Sequence, residues 1–195
     1  MSAKPRIAVI ISSTRDSRFG AVPAQWIADR AAARGDWDVE LVDLKDYDLP
    51  LFNEMASNAW MPSADPKAVA WQEKIVSFDG YIFVLAEYNR SITGALKNAL
   101  DQAYVDWNKK AFGIVGYGAL GASRAAEHMR TIGIELQMVS TRSAVHIAGA
   151  DFFTVHPLGG NPQPISAIEG TIGASADAML GELDWWTRAT MAARG

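Results

Sequence analysis

Two polar stretches carry side chains that packing alone does not require. The first, Ser12-Ser13-Thr14-Arg15-Asp16-Ser17-Arg18-Phe19-Gly20, follows the apolar run Ile7–Ile11 and precedes a helical pattern. Successive hydroxyls, two guanidinium groups and a helix start all favour an anion there. The helix dipole and free backbone N–H groups attract negative charge, and hydroxyls and arginines add donors. The loop lacks Gly-Lys-Ser/Thr and Gly-x-Gly-x-x-Gly, which disfavours nucleotide hydrolysis and the usual dinucleotide fold; a monophosphate suits it better. N-capping serines beside surface arginines are the plainer alternative. The second stretch opens with Ala86-Glu87-Tyr88-Asn89-Arg90-Ser91, directly after the apolar run Tyr81–Leu85. Polar groups just past the carboxyl end of a strand mark the ligand edge of an open α/β sheet, although a solvated loop would also be polar.

Other chemistries find little support. With no cysteine there is no disulfide, thiolate nucleophile, cysteine zinc site or iron–sulfur cluster. The three histidines, His128, His146 and His156, are scattered. Glu127-His128 lacks the second histidine of a helical zinc site, and no metal is expected. Asp43, Asp46 and Asp48 fall on what reads as a solvated loop, not a pair of catalytic carboxylates.

These loops need elements to hold them. Ile7–Ile11 and 81–85 are continuous apolar runs, as in strands covered on both faces. Residues 39–43 alternate and read as a strand nearer an edge; 112–116 and part of 139–147 complete five. Between them lie helical patterns. Residues 21–34 place Val22, Trp26, Ile27 and Ala31 on one face, and 65–77 place Ala68, Trp71, Ile75 and Val76. The latter helix has Asp65 as N-cap and Pro66 in its first turn. A third helix carries Leu96, Ala99, Leu100 and Ala103. A fourth, 122–137, carries Ala125, Met129, Ile132, Gly133 and Leu136. The last, 166–191, aligns Ile168, Ile172, Ala176, Met179, Leu183 and Trp186. Alternating βα units predict a doubly wound parallel sheet. No repeat or linker divides the chain, so residues 1–195 read as one domain.

The bulk properties agree. A chain of 195 residues with 49% hydrophobic and 21% charged residues is ordinary for a globular protein. A net charge of −4 gives no basic footprint for nucleic acid. No run approaches the roughly 20 apolar residues of a membrane span, and the N-terminus lacks a signal-peptide core, so a cytoplasmic protein is expected. Connections 46–64 and 148–165 are long for a compact domain. Trp60, Met61, Phe152 and Phe153 within them favour a subunit contact slightly over packing on their own domain.

Taken together, Ser13-Thr14-Arg15…Arg18-x-Gly20 and Glu87-Tyr88-Asn89-x-Ser91-x-x-Gly94-Ala95-Leu96-Lys97-Asn98-Ala99 resemble the NADPH-dependent FMN reductase family. That family has a flavodoxin-like fold and includes flavin, quinone, chromate and azo-dye reductases. The similarity extends to Asp48-Leu49-Pro50-Leu51-Phe52, to Gly116-Tyr117-Gly118-x-x-Gly121 and to Arg124-Ala125-x-Glu127-His128-x-Arg130. The resemblance implies a five-stranded sheet of order 2-1-3-4-5. It implies an FMN phosphate held by Ser12, Ser13, Thr14, Arg15, Arg18, Phe19 and Gly20. Ala86, Glu87, Tyr88, Asn89 and Ser91 would line the flavin ring, with Tyr117, Gly118 and Gly121 at its other edge. Five positions depart from the family's habit: Ser12 replaces Gly, Ala86 replaces Pro, Thr93 replaces a common Pro, and Ala119 and Ala122 replace frequent glycines near the ring.

The implied activity is hydride transfer from NADPH or NADH to FMN and on to a small-molecule acceptor, in a homodimer or homotetramer. No protein catalytic residue is needed, because the cofactor carries the chemistry. Backbone N–H groups of Tyr88 and Asn89 would stabilise charge on the reduced ring. Alternatives are a non-enzymatic flavin electron carrier and a cofactor-poor interaction module of the same fold.

Overall fold

In the computed structural model, which describes residues 4–194, the apolar runs become parallel strands. They are β1 (Arg6–Ile11), β2 (Asp38–Asp43), β3 (Gly80–Ala86) and β4 (Ala111–Tyr117). The fifth position is shared by two short strands, β5 (Val139–Ser140) and β6 (Val145–Ile147), each paired to a different end of β4. The order is β2-β1-β3-β4-β5, with β6 also beside β4. This is the 2-1-3-4-5 arrangement expected, with its topological switch between β1 and β3. β2, alternating in the sequence, is an edge strand.

Successive residues of a strand face opposite sides of the sheet, and two cores result. Ile7, Val9, Ile82 and Val84 pack against α1 (Ala21–Ala32), α5 (Gly149–Val155) and α6 (Glu169–Arg194). Ala8, Ile10, Tyr81, Phe83 and Leu85 face α2 (Pro66–Val76), α3 (Gly94–Gln102) and α4 (Ser123–Glu135). The second core is rich in aromatics. Trp71, Tyr81, Phe83 and Trp107 are fully buried, and Trp107 lies 4.9 Å from Tyr81 ring to ring. Truncating such a residue to alanine costs about 3–5 kcal/mol.

Local signals place the helix starts. The Asp65 side chain accepts the N–H groups of Lys67 and Ala68, capping α2 as its Asp-Pro sequence predicts. Thr93 caps α3 by accepting the Leu96 N–H at 3.1 Å. Some expected faces are displaced. Val22 is 43% and Val76 54% exposed, so the buried stripes of α1 and α2 run through Ala24, Ile27 and Ala31 and through Ala68, Trp71 and Ile75. Trp186 is also partly exposed, beside exposed Trp185.

The two long connections behave differently. Segment 148–165 contains α5, and Phe152 is buried against Phe19, so its docking is internal, contrary to the subunit contact expected for that residue. In 46–64, Trp60 is 84% exposed.

Candidate flavin site

At the carboxyl ends of β1, β3 and β4 lies a cavity of about 640 Å³. Its floor comes from Ala86, Glu87 and Tyr88 after β3 and from Tyr117 and Gly118 after β4; Arg15 and Arg18 enter from the loop after β1. These residues are distant in sequence, and the switch point between β1 and β3 brings their loops together.

The remaining expected residues support the cavity without lining it. Ser13 is buried, with its hydroxyl 3.0 Å from Tyr117 Oη. Gly20 lies behind this pair: a Cβ there would sit 2.8 Å from Tyr117 Oη and 2.9 Å from Ser13 Oγ. Phe19 is buried edge-on to Tyr117. Ser12 is fully buried beneath the loop. Thr14 is exposed and lines a smaller adjoining cavity with Lys45 and Asn98. Ser91 turns away to bond His128 Nδ1 at 2.7 Å. The Gly121 carbonyl accepts from His146 Nδ1 at 2.8 Å, giving both of these histidines structural partners.

Donor groups in the first loop are conspicuously free. The backbone N–H groups from Ser13 to Ser17 pair with no other described residue, and the N-terminus of α1 has no side-chain cap. Arg15 makes no ion pair among the described residues; its guanidinium lies 5.4 Å from the centre of the Tyr88 ring. Arg18 instead pairs with Asp43 at the end of β2, while its Nε is buried without a partner. Asp43 is therefore a part-buried counterion, not the solvated carboxylate expected from the sequence, and it offsets some of Arg18's charge.

The second loop is a tight turn. Tyr88 N–H donates to the Ser91 carbonyl at 3.0 Å, and Ser91 N–H donates back at 3.1 Å. Asn89 and Arg90 both have positive φ, 52° and 71°, the pattern of a type I′ turn. Arg90 in this region costs about 1 kcal/mol, a strain of the kind that collects at ligand-binding turns. The Tyr88 N–H is thus consumed inside the turn and is not available to a ring, a correction to the expectation above. The Asn89 N–H has no partner among the described residues. Tyr88 Oη is buried and unpartnered.

Glu87 ties this turn to the next one. Its carboxylate accepts the N–H groups of Arg124, at 3.0 Å, and Ala125, at 3.3 Å, at the start of α4, and it pairs with the Arg124 guanidinium. Burial alone would raise its pKa; the Arg124 side chain and the two N–H donors outweigh that and hold it below its ordinary 4.5. Gly116 lets the following loop fold back over β4, since a Cβ there would lie 2.3 Å from the Gly121 carbonyl.

One wall was invisible in the sequence. Phe152, His156, Pro157 and Leu158 close the cavity beside the first loop. The His156 ring lies 4.5 Å from Phe152 and 4.9 Å from Phe19, centre to centre, and its Nδ1 accepts the Leu158 N–H at 3.0 Å. Burial and then the nearby Arg15 charge lower its pKa, favouring neutral imidazole. The sequence signal was Phe-Phe-x-x-His-Pro within a long connection, which gave no hint of direction.

The cavity fits a flavin mononucleotide. Unpaired N–H groups, a buried orphan Nε and a free guanidinium stand at an anion-ready end, and Tyr88 and Tyr117 provide aromatic walls. Comparison with known proteins agrees, because the family model described as NADPH-dependent FMN reductase matches residues 5–151. The chain belongs to the NADPH-dependent FMN reductase family.

Relatives of this reductase family bear similar names. The chain is 32% identical over 159 residues to the NAD(P)H-dependent FMN reductase ntnL of Nectria sp, covering 76% of this chain and 79% of the relative. It is 33% identical over 141 residues to a 2-hydroxy-1,4-benzoquinone reductase of Burkholderia sp, covering 69% and 73%. Among solved structures, FerB, a flavoenzyme NAD(P)H:(acceptor) oxidoreductase from Paracoccus denitrificans, superposes with a TM-score of 0.64. That match is 21% identical and covers 96% of this chain and 97% of FerB, which supports the flavodoxin-like fold. The wall formed by Phe152 and His156 lies just outside the span matched by the reductase family model.

Proposed function

We propose that the chain is an FMN-dependent NAD(P)H oxidoreductase that passes a hydride from a nicotinamide to bound flavin and on to a small acceptor such as a flavin or quinone. The observation that carries this reading is the convergence, in one cavity, of an anion-ready first loop and aromatic walls from the loops after β3 and β4. The chemistry supplied when FMN is bound is two-electron transfer between a nicotinamide and an acceptor.

The chain's own groups bind and orient. Arg15, Arg18 and the unpaired N–H groups from Ser13 to Ser17 hold the phosphate. Ala86, Glu87 and Tyr88 would shape the ring side, and the Asn89 N–H, unpaired among the described residues, would be the turn's remaining backbone donor toward a bound ring. Tyr117 and Gly118 form the opposite edge, and Phe152 and His156 exclude water from the side of the first loop. Ser12, Phe19, Gly20 and Gly121 act from behind as supports.

Residues 1–195 form a single domain in this reading. Among the described residues no helix is long and apolar enough to cross a membrane, and we place the protein in the cytoplasm, with no nucleic-acid partner. Leu51, Met55 and Trp60 on the long connection are each more than four-fifths exposed, and they favour a homodimer or homotetramer. The deciding experiment is the visible spectrum of protein reconstituted with FMN, followed by anaerobic NADPH titration. A flavin absorption band that bleaches stoichiometrically is expected; protein that neither retains FMN nor bleaches would rule the reading out.

A further inference from the structure

Three of the five departures from the family's habit, Ser12, Ala86 and Thr93, meet at Ser12, which bonds to each of the other two. All are buried, at 0%, 3% and 2% exposure. The β1–β3 ladder continues past the last paired residues, Ile11 and Val84, through a Ser12 N–H bond to the Val84 carbonyl at 3.3 Å. In a regular parallel ladder the next bond would run from the Ala86 N–H to the Ser12 carbonyl. Here the partners are exchanged. Ala86 N–H donates to Ser12 Oγ at 3.4 Å, and the Ser12 carbonyl accepts the Thr93 hydroxyl at 2.6 Å. Thr93 Oγ1 in turn accepts the Leu96 N–H at the start of α3.

One serine therefore joins the end of β1, the end of β3 and the cap of α3. These are the points from which the 13–20 loop and the 87–92 turn depart. A buried N–H must find an acceptor, and an alanine at position 86 has an N–H that a proline would lack. The Ser12 hydroxyl supplies the acceptor and frees the backbone carbonyl for Thr93.

We infer that Ser12 is a positioning residue for flavin binding: its side chain replaces a ladder bond and fixes the spacing of the two cavity loops. Ser12 and Ala86 are coupled, because the hydroxyl of one accepts the N–H of the other. The inference rests on the flavin reading of the cavity.

A double-mutant cycle tests it, using the whole chain with Ser12→Ala, Ala86→Pro and the double variant. FMN affinity is read by quenching of free flavin fluorescence, and melting of the flavin-free proteins is followed in parallel. Ser12→Ala orphans the Ala86 N–H and should weaken FMN binding on the order of tenfold. In the Ala86→Pro background, where no N–H remains to satisfy, the same substitution should change affinity by less than about twofold. A merely structural role would lower the melting temperature of Ser12→Ala and leave its FMN affinity at the wild-type value; that result overturns the inference. Additive losses in the double variant overturn it too. Wild-type protein that takes up no FMN overturns the flavin reading and this inference together. Wild-type uptake with equal affinities in all four proteins overturns this inference alone.

Discussion

Replacing Glu87 with alanine should loosen the join between the turn after β3 and the start of α4. Three contributions are lost. Removing a carboxylate that caps a helix N-terminus costs about 1 kcal/mol, and its interaction with the helix dipole adds roughly 0.5 kcal/mol. The pair with Arg124 adds no more than about 0.5 kcal/mol, because that guanidinium is 41% exposed and screened by water. The sum, about 2 kcal/mol, corresponds to a fall in melting temperature of roughly 4–8 °C for a chain of this size. Its pH dependence has a defined sign. The folded pKa is depressed below 4.5, so the stabilisation is present above the unfolded carboxyl's pKa and is lost as pH falls through the lower folded value. Thermal melts of flavin-free wild type and Glu87→Ala at neutral pH and in mild acid should therefore converge toward the acid end. FMN affinity should fall as well, since Ala86–Tyr88 and Tyr117–Gly118 line the same cavity from the two loops that Glu87 joins. A melting change within about one degree at neutral pH, or a gap that widens in acid, would refute the clamp.

Arg15→Ala should weaken FMN retention on the order of tenfold while leaving the melting temperature in place, because Arg15 is exposed and unpaired among the described residues; equilibrium dialysis and thermal melts read the two effects. Gly20→Ala should disrupt the Ser13–Tyr117 hydrogen bond, costing about 1–3 kcal/mol in denaturant unfolding. Lys110 is buried with Nζ donating to the Ile75 and Val76 carbonyls and to Tyr81 Oη, and burial lowers its pKa to about 8. Its charged form is disfavoured in the fold, so stability should rise as pH climbs from about 8 toward 10 and be flatter in Lys110→Met. The neighbouring Tyr81 phenol, raised by burial, opposes this only above its ordinary 10.0.

The sheet was legible because strands covered on both faces need unbroken apolar runs, and those runs are the plainest pattern in the chain. The parallel sheet followed from the βα alternation, and its strand order from the resemblance. The two loops at the switch point were legible because packing gave no reason for their polarity. The exposure of Val22 and Val76 was not, because helical periodicity fixes a face only to within about one residue and the sheet contact decides the rest. The type I′ turn at Asn89-Arg90 lacks the glycine that usually announces it, and so the loss of the Tyr88 N–H went unseen. Phe152 and His156 were missed for a topological reason: they meet Phe19 only once α5 has folded back against the loop that leads into α1. The pairing of Arg18 with Asp43 likewise depends on β2 lying next to β1.

The divided strand beside β4 has a consequence for how molecules of this chain meet. A continuous outer strand is a template on which a second chain can add by main-chain hydrogen bonding, the route to runaway aggregation. Here that border is broken into pieces of two and three residues, and the opposite border, β2, begins with Asp38 and carries Glu40, each within reach of the Arg6 guanidinium. Among the described residues neither border offers a long neutral rung, which disfavours sheet extension as a way for two copies to join.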